Sequence, residues 1–148
     1  LAVDKTGVGA GPYDILDGYR LNPIGVTITN GNRAMMVTVR DWHVPKRDLV
    51  GAAQVGLQTK VLSVADKLPM ASVLCKELQN FKMKISESGH DSYNAWRESD
   101  HDDLVLAVSI AGYTATQMVT MNQNIALAKI QEAENQRRWR GEGEISPI

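Results

Sequence analysis

Three acidic residues and one histidine carry most of the chemistry legible in this chain. His101-Asp102-Asp103 stands immediately before the run Leu104-Val105-Leu106-Ala107-Val108-Ser109-Ile110-Ala111. An apolar run of this length after two acids predicts a helix start, where unpaired first-turn N–H groups and the helix dipole favour negative charge. Two adjacent carboxylates and an imidazole in that position can hold a divalent metal ion. Consecutive helix-start residues point in different directions. One of Asp102 and Asp103 is therefore expected to ligate metal, while the other caps the helix or holds a neighbouring group. His101 can orient a water, hydrogen-bond an acid or contact metal directly. The third acid, Asp4, closes the strand-like Leu1-Ala2-Val3 just before the turn Thr6-Gly7-Val8-Gly9-Ala10-Gly11. Open α/β sheets present ligands at such strand ends. The same Asp4 can equally cap the turn.

These residues need a scaffold, and the chain reads as alternating strands and helices. After the glycine-rich turn, a helix is expected from about Pro12 to Tyr19, with proline in its first turn. Ile24–Thr29 reads as a second strand, ended by Asn30-Gly31-Asn32, with a hairpin return through Met35–Val39. Val44-Pro45-Lys46-Arg47-Asp48 opens a helix to about Gln58, Lys60–Val64 has the composition of a short strand, and a helix spans about Met70–Asn80. The apolar face of that last helix is assigned to Val73, Leu74, Leu78 and Phe81. Phe81–Ser86 alternates like a strand, Glu87–His90 like a turn, and Ser92–Trp96 like an antiparallel return. From about Thr116 the spacing of Met118, Met121, Ile125, Leu127 and Ile130 is helical and runs into a charged tail. The interleaving predicts an α/β sheet covered by helices, with residues 1–117 as one domain and 118–148 as a helical tail that frays or protrudes.

Several strings, in order, resemble one known family. VDKTGVGAGPYDIL and HDDLVLA resemble the acidic motifs of the nuclease domain of the bacteriophage terminase large subunit, the DNA-packaging motor protein of tailed phages. ITNGN, HVPKRDLVGAAQVGLQTKVL and LCKELQNFKMKIS resemble the segments between them, so the likeness covers roughly residues 1 to 115. The resemblance implies a ribonuclease H-like mixed sheet flanked by helices. It also implies a metal-dependent endonuclease that cuts concatemeric double-stranded DNA, with Asp4, Asp102 and Asp103 as Mg²⁺ or Mn²⁺ ligands and His101 beside them. Two hard cations about 3.5–4 Å apart serve both ends of phosphodiester hydrolysis, and such ions prefer carboxylate and water ligands. Lys46 and Arg47, near a helix start, are candidates for DNA phosphate contacts, although exposed basic residues are commonly just solvated. The family further implies the small terminase subunit and the portal as partners, in the cytoplasm of a bacterial host.

The chain also departs from that family. Its first strand, which carries another essential aspartate, and the two strands paired with it would precede Asp4, and Gly7-Val8-Gly9-Ala10-Gly11 lacks the Gly-Lys-Ser/Thr ending of an ATP-binding loop. Weak or absent cleavage by this piece, and self-association through an exposed first strand, are therefore expected. Two other classes compete: a non-catalytic prophage remnant or assembly module that retains the fold, and a phosphate-binding domain with a ligand-sized pocket over Gly7–Gly11.

Composition constrains these readings only broadly. The chain has 148 residues, 43% hydrophobic and 22% charged, enough for one soluble domain. A formal net charge of −1 means that any DNA contact must come from local basic residues or metal ions. Cys75 is the single cysteine, so no internal disulfide forms, and its apolar neighbours predict burial. No uninterrupted apolar run approaches the roughly 20 residues of a membrane span, and no membrane partner is expected. Gln136-Arg137-Arg138-Trp139-Arg140 can contact phosphates or stack on bases, but Glu132, Glu134, Glu142 and Glu144 dilute it into an ordinary solvated helix end.

Overall fold

A computed structural model describes residues 1–87 and 102–140 of the chain. Strand β1 (Ala2–Asp4) leads through a 3₁₀ turn (Gly7–Gly9) into α1 (Ala10–Gly18). Strands β2 (Ile24–Thr29), β3 (Met35–Thr38) and β4 (Asp41–Pro45) follow, and then α2 (Lys46–Gln58), α3 (Ala71–Glu87) and α4 (Asp103–Trp139). The chain divides into two units, Leu1–Thr114 and Ala115–Ile148. The first is mixed α/β. Its four-stranded sheet has the order β1-β2-β4-β3, with β1, β2 and β4 parallel and β3 antiparallel to β4.

Period-two alternation separates the two faces of this sheet. Ile24, Val26, Trp42 and Val44 are buried on one face. Register places Asp4 level with Val26 and Trp42, and therefore on that same face. Trp42 satisfies its indole N–H by donating to the Val39 carbonyl (3.1 Å) and meets Tyr113 of α4 edge-on, with ring centroids 6.4 Å apart. Burial of Tyr113 raises its phenol pKa above the ordinary value. On the opposite face Gly25 leaves room for the Tyr13 ring of α1 and the stem of Lys5. The Lys5 ammonium crosses to Asp41 (2.8 Å) beneath Tyr13, 4.6 Å from its ring centroid.

The helices close a core below the sheet. Leu74, Leu78 and Phe81 recur at i, i+4 and i+7 along α3 and pack with Val50, Val64, Leu104, Val105 and Val108. Fully burying residues such as Leu49, Val26, Val44 and Val105 contributes about 1.5–3 kcal/mol each. A cavity of about 430 Å³ lies between α2, α3 and α4, lined by Val50, Ala53, Leu57, Phe81 and Ser109 among others. It does not touch Gly7–Gly11.

Several sequence expectations require correction. Met35–Thr38 does form a strand, but it pairs with β4 rather than returning along β2. The residues just before Val44 hold the strand that reading overlooked. In β4, Trp42 and Val44 point inward and Asp41 and His43 alternate with them. Lys60–Val64 is not a strand: α2 ends there in a tight turn, with Lys60 at φ 59° and the Leu62 N–H donating to the Gly56 carbonyl (2.9 Å). Phe81–Ser86 continues α3 to Glu87, because Phe81 extends the helical stripe begun at Leu74. Cys75 is exposed and Val73 is 40% exposed, since both lie off that stripe. Residues Ser92–Trp96 lie outside the described residues.

The second unit, where described, is the continuation of α4, exposed along nearly its whole length, with Met118, Ile125, Leu127, Ile130 and Trp139 open to solvent. Within the 37 residues of α4 one 18-residue stretch is apolar enough to cross a membrane, a measure of length and composition only. Val105, Ser109, Ile110 and Thr114 of the same helix are buried inside the first unit.

Two tests follow from this architecture. A methyl group at Gly9 would fall on the backbone carbonyl of Asp4, which no side-chain rotation relieves. Gly9→Ala should destabilise the fold by about 1–3 kcal/mol in urea titrations; an unchanged midpoint would show that the turn can relax. The hydrogen bond to Asp41 raises the Lys5 pKa above 10.5, with burial opposing. A cation whose pKa is higher folded than unfolded stabilises fully below the unfolded value and loses that contribution as pH rises through the folded one. The stability difference between the wild type and Lys5→Met should therefore hold through neutral pH and shrink only above about pH 10.5; a difference that vanishes near neutrality would contradict this.

Candidate functional site

The amino terminus of α4 is tied to both α2 and α3. Its first N–H groups have no partners within the helix and must find acceptors elsewhere. The Glu77 carboxylate on α3 supplies one: Oε2 accepts from the N–H of Leu104 and of Val105, both at 3.1 Å. Negative charge here also complements the helix dipole, together with Asp103 in the first turn. Asp102, the residue preceding the helix, accepts from Lys46 Nζ through Oδ2 at 3.0 Å. The Lys46 and Asp102 side chains are only 16% and 26% exposed, so solvent screens this pair less than an open surface pair. Lys46 is the first residue of α2, directly after β4, and its ammonium lies 6.0 Å from the Phe81 ring centroid. The long-range pair thus joins the end of β4 to the start of α4.

Helix α4 runs back along the sheet from that junction. Asp102 meets the residue just past the carboxyl end of β4, whereas Tyr113 meets Trp42 near its start. The positive end of the α4 dipole therefore sits at the carboxyl edge of the parallel strands.

Asp4 closes β1 on the same face but serves its own turn. Its Oδ1 accepts from the Thr6 N–H at 2.8 Å, the capping role that its sequence context allowed. Thr6 in turn accepts through Oγ1 from the Ile28 N–H at 2.8 Å, and Lys5 N–H donates to the Val26 carbonyl at 2.8 Å, fixing the turn to β2. Gly7 adopts φ 56°, the left-handed conformation that favours glycine. Asp4 lies level with Trp42, three residues short of Pro45, an offset of about 10 Å along the strands.

The structure thus brings Lys46 to Asp102 and keeps Asp4 on their face of the sheet without joining it to them. Among the described residues, no three His, Cys, Asp or Glu side chains gather as a metal-holding group. His101 lies outside the described residues. Asp103 is exposed at the first position of α4. Arg47, also exposed, does not stand clear of the protein: it donates to the Asn32 carbonyl, to Asn32 Oδ1 (3.2 Å) and to Asp48 Oδ1 (3.4 Å). In kind, the donors suit a hard divalent cation. Asp4 Oδ2 and Asp102 Oδ1 remain without a hydrogen-bond partner among the described residues, and carboxylate oxygens are what Mg²⁺ and Mn²⁺ prefer.

Glu77 is the functional residue that sequence reading missed. Its signal was available: Leu74, Glu77, Leu78 and Phe81 share one helix stripe, and an acid within an apolar stripe needs a buried partner. Glu77→Ala should lower stability by about 1–2 kcal/mol in urea titrations, with Glu77→Gln, which keeps an acceptor oxygen, losing less. Equal midpoints for wild type and Glu77→Ala would remove the cap from this account.

Comparison of the chain with protein-family models, with curated proteins and with solved structures returns no match, so its function is read from these residues and their geometry.

Proposed function

We propose that this chain is part of a metal-dependent DNA endonuclease domain of the terminase large-subunit type, with a ribonuclease H-like sheet, used to cut concatemeric viral genomes in the cytoplasm of a bacterial host. One observation carries the reading: Asp102 stands at the amino terminus of α4, at the carboxyl edge of three parallel strands, on the sheet face that also bears Asp4. The order of the strings from VDKTGVGAGPYDIL to HDDLVLA supports the same family.

On this reading Asp4, Asp102 and Asp103 would hold Mg²⁺ or Mn²⁺, with His101 beside them. A bound ion would supply an activated nucleophile and neutralise charge developing on the phosphodiester. The chain's own residues do the rest. Glu77 fixes the first turn of α4, and so the position of the two acids it carries. Lys46 at the amino terminus of α2, next to N–H groups that favour anions, would reach a DNA phosphate only by releasing Asp102. Arg47 would reach a phosphate only by releasing Asn32. Double-stranded DNA is the substrate, and the small terminase subunit and portal are the partners of such a domain. The open edge of β1 offers a second copy a place to pair.

A second reading, a non-catalytic assembly module that keeps the fold, is favoured by the separation of Asp4 from the Lys46–Asp102 pair.

Plasmid cleavage in Mn²⁺ or Mg²⁺ separates the two. The nuclease reading predicts slow nicking that stops with EDTA and falls at least about tenfold in Asp4→Ala and in the Asp102→Ala/Asp103→Ala double variant, the scale of losing a single transition-state contact. An absence of nicking, or nicking that persists in both variants, would favour the module.

A further inference from the structure

We propose that the cavity between α2, α3 and α4 is a binding site for a small uncharged aromatic molecule carrying one hydroxyl or carbonyl group, with Ser109 as its hydrogen-bonding partner. Such a site is independent of the nuclease reading.

Size sets the first limit on the occupant. The cavity holds about 430 Å³, roughly three times the ~150 Å³ in which an apolar cavity binds benzene. Protein interiors leave few voids larger than a water molecule, so this space stands out from ordinary packing and has room for a molecule of two or three rings. The lining sets the second limit. Val50, Ala53, Leu57, Leu78 and Val105 supply apolar contact, and Phe81 adds an aromatic surface. Gln54, Gln58 and Gln79 complete the wall with uncharged amides on exposed residues. Among the described residues no charged side chain lines the space. A charge buried there would have no partner and would carry a large desolvation cost, so the site selects a neutral occupant.

Ser109 identifies the polar group that the occupant must bring. It lines the cavity at 0% exposure, and its Oγ has no hydrogen-bond partner among the described residues. Helical serines and threonines can spend the hydroxyl on the carbonyl four residues back, as Thr114 does on Ile110 at 2.8 Å. Ser109 makes no such bond to Val105. A buried hydroxyl left unpaired costs free energy, and a bound molecule that pairs with it recovers that cost. The serine hydroxyl turns about a single bond and both donates and accepts, so it can meet a phenol or a carbonyl at the cavity floor.

The test uses 2-naphthol and naphthalene as probes on the whole chain, followed through backbone amide signals in two-dimensional NMR. 2-Naphthol should bind saturably and shift the amides of Val50, Ala53, Leu57, Val105 and Ser109 first. Ala53→Leu, which extends a side chain into the space, should weaken both probes at least about tenfold. Ser109→Ala should weaken 2-naphthol about two- to tenfold, the scale of one net hydrogen bond, and leave naphthalene unchanged. Three results would each overturn the site: no saturable shift in the wild type, shifts centred on the exposed Met118–Ile130 stretch of α4, or the same 2-naphthol affinity in Ser109→Ala as in the wild type. If Ala53→Leu does not fold, the wild-type shift map and Ser109→Ala decide by the same criteria.

Discussion

The capping of one helix end organises this protein. Helix α4 begins with Asp103 exposed and turns inward by Val105, so its first N–H groups need acceptors from the neighbouring helices as well as from water. Glu77 meets that need from α3, and Lys46 reaches Asp102 from the end of β4. Two separate helices, α2 and α3, thereby converge on a single turn. Removing a partner from a shielded charge leaves the other uncompensated, which costs more than the pair itself contributes. That asymmetry makes the junction a rigid point from which α4 runs back over Trp42 and Val44.

The two faces of the sheet are filled differently. On the α1 side, Gly25 allows Tyr13 and Lys5 to lie flat against the strands, and Asp41 balances the lysine while one of its oxygens, Oδ1, is buried without a partner among the described residues. On the α4 side, apolar residues fill the interior and acids collect toward the strand ends. Asp4 is the residue on which the two demands meet, since it holds its own turn through Oδ1 and keeps Oδ2 for other use.

Much of this was legible in the sequence, and the misses share a cause. β1, β2, α1 and α2, together with the start of α4, followed from glycine punctuation, β-branched alternation and the acids before an apolar run. β4 was missed because Asp41 and His43 look like loop residues until Trp42 and Val44 are read with them as alternate positions. Phe81-Lys82-Met83-Lys84-Ile85-Ser86 fits a strand in isolation, and only the stripe from Leu74 shows that the helix continues. Short windows fit both periods, so tertiary burial decides. At the site, the acids were identified by type and place. Their partners, Lys46 for Asp102 and Glu77 for the α4 amino terminus, lie 56 and about 27 residues away, and single-residue spacing carries no record of such pairings.

On the nuclease reading, the carboxyl edge of the parallel strands, at the start of α4, attracts divalent metal. Paramagnetic broadening of backbone amide signals by substoichiometric Mn²⁺ in the presence of a DNA duplex tests it most directly. Amides near Asp4 to Thr6, Lys46 and Asp102 to Val105 should broaden first. Broadening spread evenly over exposed acids, or centred on Glu132 and Glu134 in the tail, would contradict it.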